Sequence, residues 1–189
     1  MHNEDYDIKI FTPIKASNTP EPVVIADEMK RQVISGNMQK ASALGEAVAK
    51  SFREAAEKDE LLNIAKGCGV ELSRSIKNQA IILSVFTAEY AFNRFLNDPI
   101  LSTTAVSKLY DTLTKDSPEL YNSLLASTAF SFYYMNIDVE DINTDAIGKT
   151  FAELCNDNSN KALFCYGQTV FNTSLEHYRN TIASVNFTQ

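Results

Sequence analysis

Glu89 stands out among the residues able to do chemistry, because this carboxylate lies inside a mostly apolar stretch, residues 80–96. A carboxylate buried without a partner marks a ligand-binding or proton-handling site. Two plainer explanations stay open: the helix exposes this face to water, or Asn93 or Arg94, about one turn further on, pairs with the carboxylate. We treat Glu89 as a candidate ligand-binding residue.

Aromatic residues recur in two later segments and supply a possible lining for an apolar ligand. Phe130, Tyr133 and Tyr134 fall in the first segment and Tyr166 in the second. Aromatic side chains line many pockets that bind small apolar molecules, but they pack protein cores far more often. The sequence therefore suggests a ligand cavity formed by these four residues together with Glu89, with core packing as the alternative.

Histidine and cysteine offer little for metal binding or catalysis. The two histidines are His2 and His177, and neither completes the Glu-x-x-His pair that di-iron helical bundles use. Cys165 precedes His177 on one predicted helix, about 18 Å away along its axis. Cys68 or Cys155 would meet His177 only through a tertiary contact. We expect no metal, no cofactor and no catalytic residues, and three reduced, mostly buried thiols.

Two motif fragments each lack a required residue. Gly148-Lys149-Thr150 matches the end of a phosphate-binding loop, but Asn143 stands where the first glycine of that loop belongs. Residues 141–145 resemble the start of a calcium-binding loop, but Ala152 occupies the position of its bidentate glutamate. Helix capping and solubility explain these residues more simply.

Length and composition indicate a folded protein with a sizeable core. The chain has 189 residues, of which 44% are hydrophobic. Its net charge of −7 argues against nucleic-acid binding, which needs clustered Lys and Arg, and residues 98–160 hold ten acidic against three basic side chains. The acidic start is unlike a signal peptide, and the most apolar window, residues 80–92, is too short to span a bilayer. We therefore expect a cytoplasmic protein without membrane insertion.

The candidate residues must be positioned by secondary-structure elements, and the clearest signals for those elements are the starts of helices. Thr19-Pro20-Glu21 and Ser117-Pro118-Glu119 each combine a capping hydroxyl, a proline and a carboxylate in the order that opens a helix. Apolar residues then recur at spacings of three and four, and no convincing run of alternating strand residues occurs. The predicted fold class is all-α, a compact bundle of about seven helices. Residues 1–19 are predicted to form an extended or disordered arm and residues 20–189 a single domain.

The predicted helices cover residues 20–35, 38–58, 70–97, 102–115, 118–135, 144–155 and 161–185. Gly36 is predicted to end the first helix, and a short turn at 61–64 precedes a break at Gly67-Cys68-Gly69. Asn143 or Thr144 should cap the helix that ends near residue 155. The largest apolar faces, and hence the predicted core, lie near residues 76–96, 118–135 and 163–185.

The last predicted helix carries an apolar stripe that either completes the core or contacts a second subunit. Its members are Phe164, Phe171, Leu175, Tyr178 and Ile182. Since no catalytic site is recognisable, the sequence favours a non-enzymatic interaction or scaffold domain that binds a protein partner or self-associates as a homo-oligomer. The alternatives are a helical sensor that binds a small apolar ligand in the aromatic cavity, and an enzyme whose site forms only through tertiary contact.

Overall fold

The computed structural model describes residues 22–57, 59–137 and 143–188. Within these ranges the chain forms nine helices. Within those ranges the fold is all-α, as predicted. The helices are α1 Pro22–Ile34, α2 Asn37–Glu57, α3 Glu60–Gly67, α4 Arg74–Phe95, α5 Pro99–Asp116, α6 Pro118–Leu125, α7 Ala129–Tyr134, α8 Thr144–Leu154 and α9 Lys161–Ala183. The predicted arm and the predicted helix start at Thr19 lie outside the described residues.

Polar side chains start several helices by accepting hydrogen bonds from first-turn N–H groups. They are Ser73 for α4, Asp98 for α5, Asn143 for α8 and Asn160 for α9. Asp98 starts α5 three residues earlier than predicted, because Pro99 occupies the first helical position, where an N–H group would be unpaired. The predicted cap at Asn143 and the predicted start at Pro118 are confirmed. The prediction that the Ser117 hydroxyl caps this second helix was wrong, because its side chain accepts no hydrogen bond from the first turn.

Two predicted elements differ from the structure. Residues 61–64, predicted as a short turn, belong to the eight-residue helix α3. A single helix was predicted over residues 118–135, but the structure has two, α6 and α7, separated by a turn at residues 126–128. In this turn Ser127 Oγ accepts a hydrogen bond from the N–H of Ala129 at 3.1 Å. The turn leaves Leu125 and Phe132 exposed by 66% and 47%, so the prediction that this segment is largely buried was wrong for these residues.

Two close helix pairs, α2 with α5 and α8 with α9, flank α4, which contacts members of both pairs. At the α2–α5 crossing, a Cβ atom on Gly45 would overlap the carbonyl oxygen of Ala105, so only glycine allows this approach. All side chains from residue 82 to residue 88 of α4 are buried. This confirms that the helix with apolar residues on every side lies at the centre.

Candidate functional site

A groove of about 1100 Å³ lies between α1, the α4–α5 connection and the segment that follows α9. Its walls are mostly apolar and include Ile25, Met29, Met38, Phe95, Leu101 and Phe187. Sites for small molecules usually have volumes of about 300–1000 Å³, so this groove is large enough for an apolar ligand or part of a helix.

The helix α1 forms one wall of the groove and carries an exposed apolar stripe. Ile25, Met29 and Val33 recur every four residues, and 42%, 46% and 57% of their surfaces are exposed. Ile34, beside Val33, is exposed by 86%. Contiguous apolar surface on a soluble protein marks an interaction site more often than isolated apolar residues do. The described part of the chain leaves this face of α1 uncovered.

The buried side-chain amides of Gln32 and Asn37 join the turn between α1 and α2 to Asp98 and Thr188, the lining residues that we call the floor of the groove. Gln32 Nε2 donates to Asp98 Oδ2 at 2.6 Å, and Gln32 Oε1 accepts from Asn37 Nδ2 at 2.7 Å. Asn37 also donates to the carbonyl of Thr188 at 2.7 Å and accepts from its N–H at 2.8 Å. Gly36, with a φ of +74°, makes the reversal between α1 and α2. Because buried polar groups are costly unless paired, this network holds three distant segments together.

Glu28 extends the network towards the open side of the groove. Its carboxylate accepts two hydrogen bonds from the Arg31 guanidinium, at 2.7 and 3.0 Å, and one from Gln32 at 2.6 Å. The Arg31 hydrogen bonds, followed by that of Gln32, lower the pKa of Glu28 from 4.5 to about 2. The charged residues that line the groove are Glu28, Arg31 and Asp98. Two carboxylates and one guanidinium leave the groove almost neutral.

No pattern in the sequence indicated this groove. Gly36 was predicted to end the first helix and the third predicted helix was expected to end at residue 97, but nothing in the sequence indicates that these two turns meet. Gln32 and its partner Asp98 are 66 residues apart, and Asn37 and Thr188 are 151 apart. An isolated Gln and Asn on helices give no recognisable signal of burial.

Glu89 is partly buried, and its carboxylate contacts the hydroxyl groups of two tyrosines. The hydroxyls of Tyr110 and Tyr134 both donate to its carboxylate, Tyr134 at 2.5 Å. Burial, and then the Glu89 charge, raise the pKa of both phenols above the ordinary tyrosine value, so they remain protonated donors. The suggested partner Asn93 instead accepts a hydrogen bond from Ser102 at 2.5 Å. Glu89 thus has partners from other helices, which sequence spacing could not predict.

The other predicted ligand residues fall in two places. Phe130, Tyr133 and Tyr134 pack around Phe86, with ring centroids 5.0 to 5.4 Å from the Phe86 ring. Tyr166 instead packs against Phe151 of α8, with centroids 5.6 Å apart. These aromatic residues line neither the groove nor the smaller pocket described below. The ligand site proposed from them stays a prediction.

Tyr133 and Tyr166 share an unusual property. Both hydroxyl groups are buried, and within the described residues neither has a hydrogen-bond partner. Burial raises the pKa of both phenols, which keeps them neutral. A buried hydroxyl without a partner costs about 1–3 kcal/mol of stability.

His177 lines a small pocket of about 220 Å³ that also includes Glu60 and Ser174. Ser174 Oγ shares a hydrogen bond with Ser84 Oγ at 3.3 Å. In the part of the chain that the structure describes, no hydrogen bond joins His177 to Ser174 or Glu60, and the pocket lining includes no cysteine. The hydrogen bonds that make a Ser-His-carboxylate triad work are therefore not formed here.

The predicted interface stripe of α9 lies largely within the core of its own chain. Phe171, Tyr178 and Ile182 are buried, whereas Phe164 and Leu175 are partly accessible. Tyr178 packs edge-on against Phe52 of α2. An interface on this stripe stays a prediction, but the apolar side chains of α1 are the more exposed.

No family model, curated protein or solved structure matches this chain. Among the described helices none is both long and apolar enough to cross a bilayer. Over the same residues, no three His, Cys, Asp or Glu side chains are grouped to hold a metal ion.

Proposed function

We propose that this chain is a helical protein-interaction domain that self-associates through α1 and the adjoining groove. The observation that carries the proposal is the exposed stripe of Ile25, Met29 and Val33, of which the first two also line a groove of about 1100 Å³. Each copy has an apolar ridge, which is the exposed stripe of α1, and an apolar groove beside it. A two-fold contact between copies uses the same patch twice, so each ridge covers the groove of the other copy.

Local charge supports a second copy as the occupant. The chain carries −7 in total, which disfavours self-association over most of its surface. Within α1, however, Asp27 and Glu28 are balanced by Lys30 and Arg31. An antiparallel pair of α1 helices therefore meets without net repulsion, and burial of its apolar side chains supplies the driving force.

The test is sedimentation velocity across the micromolar range with a matched pair of variants. Met29→Glu places a charge in the proposed interface, and we expect its dissociation constant to rise at least about tenfold, equivalent to about 1.4 kcal/mol. Met135→Glu is the control, because Met135 is exposed by 81% but lies beyond α7. A strictly monomeric parent protein would refute the proposal. Dissociation by Met135→Glu alone would place the interface at α6 and α7 instead.

A small apolar ligand is the second candidate, and it is favoured by the hydroxyls of Tyr133 and Tyr166, which have no hydrogen-bond partner among the described residues. A bound molecule with an acceptor group would satisfy such a donor inside an aromatic surrounding. Native mass spectrometry of the protein as purified distinguishes the two candidates. A mass above that of the chain supports a ligand, whereas the bare mass of monomer and dimer supports self-association. A cytoplasmic location and the lack of nucleic-acid binding remain predictions from composition.

A further inference from the structure

Cys68 and Cys165 are brought together although they are 97 residues apart in the sequence. Their Sγ atoms lie 2.9 Å apart. A covalent S–S bond is about 2.05 Å long, so a shift of about 0.9 Å would bring the two sulfurs to bonding distance. The prediction that all three thiols are mostly buried was wrong for Cys165, which is exposed.

The surroundings of the pair suit stepwise oxidation. Cys165 is on the surface in the second turn of α9, where a small reagent reaches it. Cys68 is partly buried at the end of α3, between Gly67 and Gly69, and its Sγ is 3.8 Å from Thr169 Oγ1. Burial, and then its contact with Cys165, raise the pKa of the Cys68 thiol. The accessible Cys165 therefore reacts first and Cys68 resolves the intermediate.

We propose that Cys68 and Cys165 are a disulfide site, oxidised by exchange with a low-molecular-weight disulfide such as oxidised glutathione. The Cys165 thiolate attacks one sulfur of the reagent, which forms a mixed disulfide and releases one glutathione thiolate. The Cys68 thiolate then attacks Cys165 Sγ, which forms the Cys68–Cys165 bond and releases the second glutathione. The protein loses two electrons and two protons, and the reagent gains them as two thiols.

Cys155 is the natural internal control. It is partly buried after the end of α8, and burial raises its pKa to about 11, so little of it is thiolate near neutral pH. The disulfide would connect the end of α3 to α9 and leaves α1 untouched. The inference is therefore independent of the proposed self-association.

To test the proposal, the full chain is equilibrated with mixtures of reduced and oxidised glutathione. The exchange is then quenched with acid, the free thiols are alkylated, and the mass of the intact protein is measured. We expect one alkylated thiol in the oxidised protein, and peptide mapping that joins Cys68 to Cys165. Cys155→Ala should leave this bond unchanged, whereas Cys68→Ser and Cys165→Ser should abolish it. Because the fold holds the two sulfurs together, the native pair should resist reduction at least about tenfold better than the same pair in urea.

Several outcomes would overturn the proposal. One is a stable mixed disulfide of glutathione on Cys165 with no internal bond. Others are a bond that involves Cys155, a Cys165–Cys165 bond between two chains, or equal ease of reduction in the native and unfolded protein. Cys165→Ser changes an exposed side chain, so its circular dichroism spectrum should match that of the parent and exclude misfolding as the cause.

Discussion

The hydroxyl groups of Tyr110 and Tyr133 differ in whether they have a hydrogen-bond partner among the described residues. The hydroxyl of Tyr110 donates to the Glu89 carboxylate, whereas that of Tyr133 is buried without a partner among the described residues. A hydrogen bond to a charged acceptor is worth more than one between neutral groups. The two phenols therefore predict opposite effects of the same chemical change.

Tyr110→Phe should destabilise the protein. The substitution keeps the ring and removes one of the two donors that the Glu89 carboxylate has from other helices. Hydrogen bonds to charged groups contribute about 1.5–3 kcal/mol, and we expect a loss of this size in the free energy of unfolding, measured by urea denaturation. An unchanged midpoint would mean that water replaces the phenol at no cost.

Tyr133→Phe should leave stability unchanged or raise it by up to about 3 kcal/mol, since it removes a buried hydroxyl that has no described partner. The same urea titration measures it. A marked loss of stability would show that the Tyr133 hydroxyl has a partner in solution, which would favour the small-ligand candidate.

The Glu28 carboxyl should titrate near pH 2. Its pKa in the folded protein lies below the ordinary value of 4.5, so its contribution to holding α1 is complete above pH 4.5 and is lost as the pH falls towards 2. NMR titration of the Glu28 side-chain carbon measures this pKa. Because Arg31 is the largest cause of the shift, Arg31→Met should move the midpoint back towards 4.5. A midpoint in the variant that equals that of the parent would show that the hydrogen bonds of Gln32 and Asp98 dominate the shift.

Close approach at the α2–α5 crossing shows how an element depends on one missing side chain. The Gly45 Cα faces the backbone of Ala105 and Leu109, so the two helices pack almost backbone to backbone. Their neighbours Ala41, Leu44 and Val48 are buried. This pair is the scaffold on which the start of α5, and with it one side of the groove, is positioned.

Gly45→Ala should destabilise the protein although alanine is the better helix former. The added methyl group overlaps backbone that cannot rotate away, and overpacking typically costs about 1–3 kcal/mol. Gly67→Ala is the control, because nothing lies within 4 Å of a Cβ there, and alanine should be neutral or stabilising by up to about 1 kcal/mol. Thermal unfolding of both variants measures the contrast. Equal behaviour of the two would mean that α2 and α5 separate easily.

Local signals predicted elements better than their assembly. Capping residues such as Asn143, the stop at Gly36 and the apolar character of α4 follow from chemistry within one or two turns, so they were predictable. The turn between α6 and α7 contains neither glycine nor proline and was missed. The groove, the Glu89 cluster and the Cys68 contact depend on segments far apart in the chain, and no local pattern indicates such meetings.

Charge is uneven over the whole molecule. The acidic excess lies in residues 98–160, which include α5 to α8, while α1 is balanced. Two copies that meet through α1 therefore experience repulsion mainly from charges outside the contact. Salt screens such charges once they are separated by more than about 10 Å at 0.1 M.

The proposed dimer should strengthen modestly with salt. Screening reduces the repulsion between two chains of −7 each, and it does not weaken apolar contacts. Sedimentation at low and high sodium chloride should show a dissociation constant that falls by less than about tenfold. A constant that rises steeply with salt would mean that ion pairs, rather than the stripe on α1, hold the two copies together.

The pairing of Asn37 with Thr188 has a consequence for synthesis on the ribosome. The helices α1 and α2 emerge early, but the side chain of Asn37 obtains its backbone partner only after a further 151 residues have been made. Until then the groove has no complete floor, and the apolar wall of α1 is open along its length. A nascent or shortened chain that stops before this segment would expose the apolar lining of the groove in addition to the face of α1 that is already open, so we expect chaperone binding and aggregation to concentrate in that form.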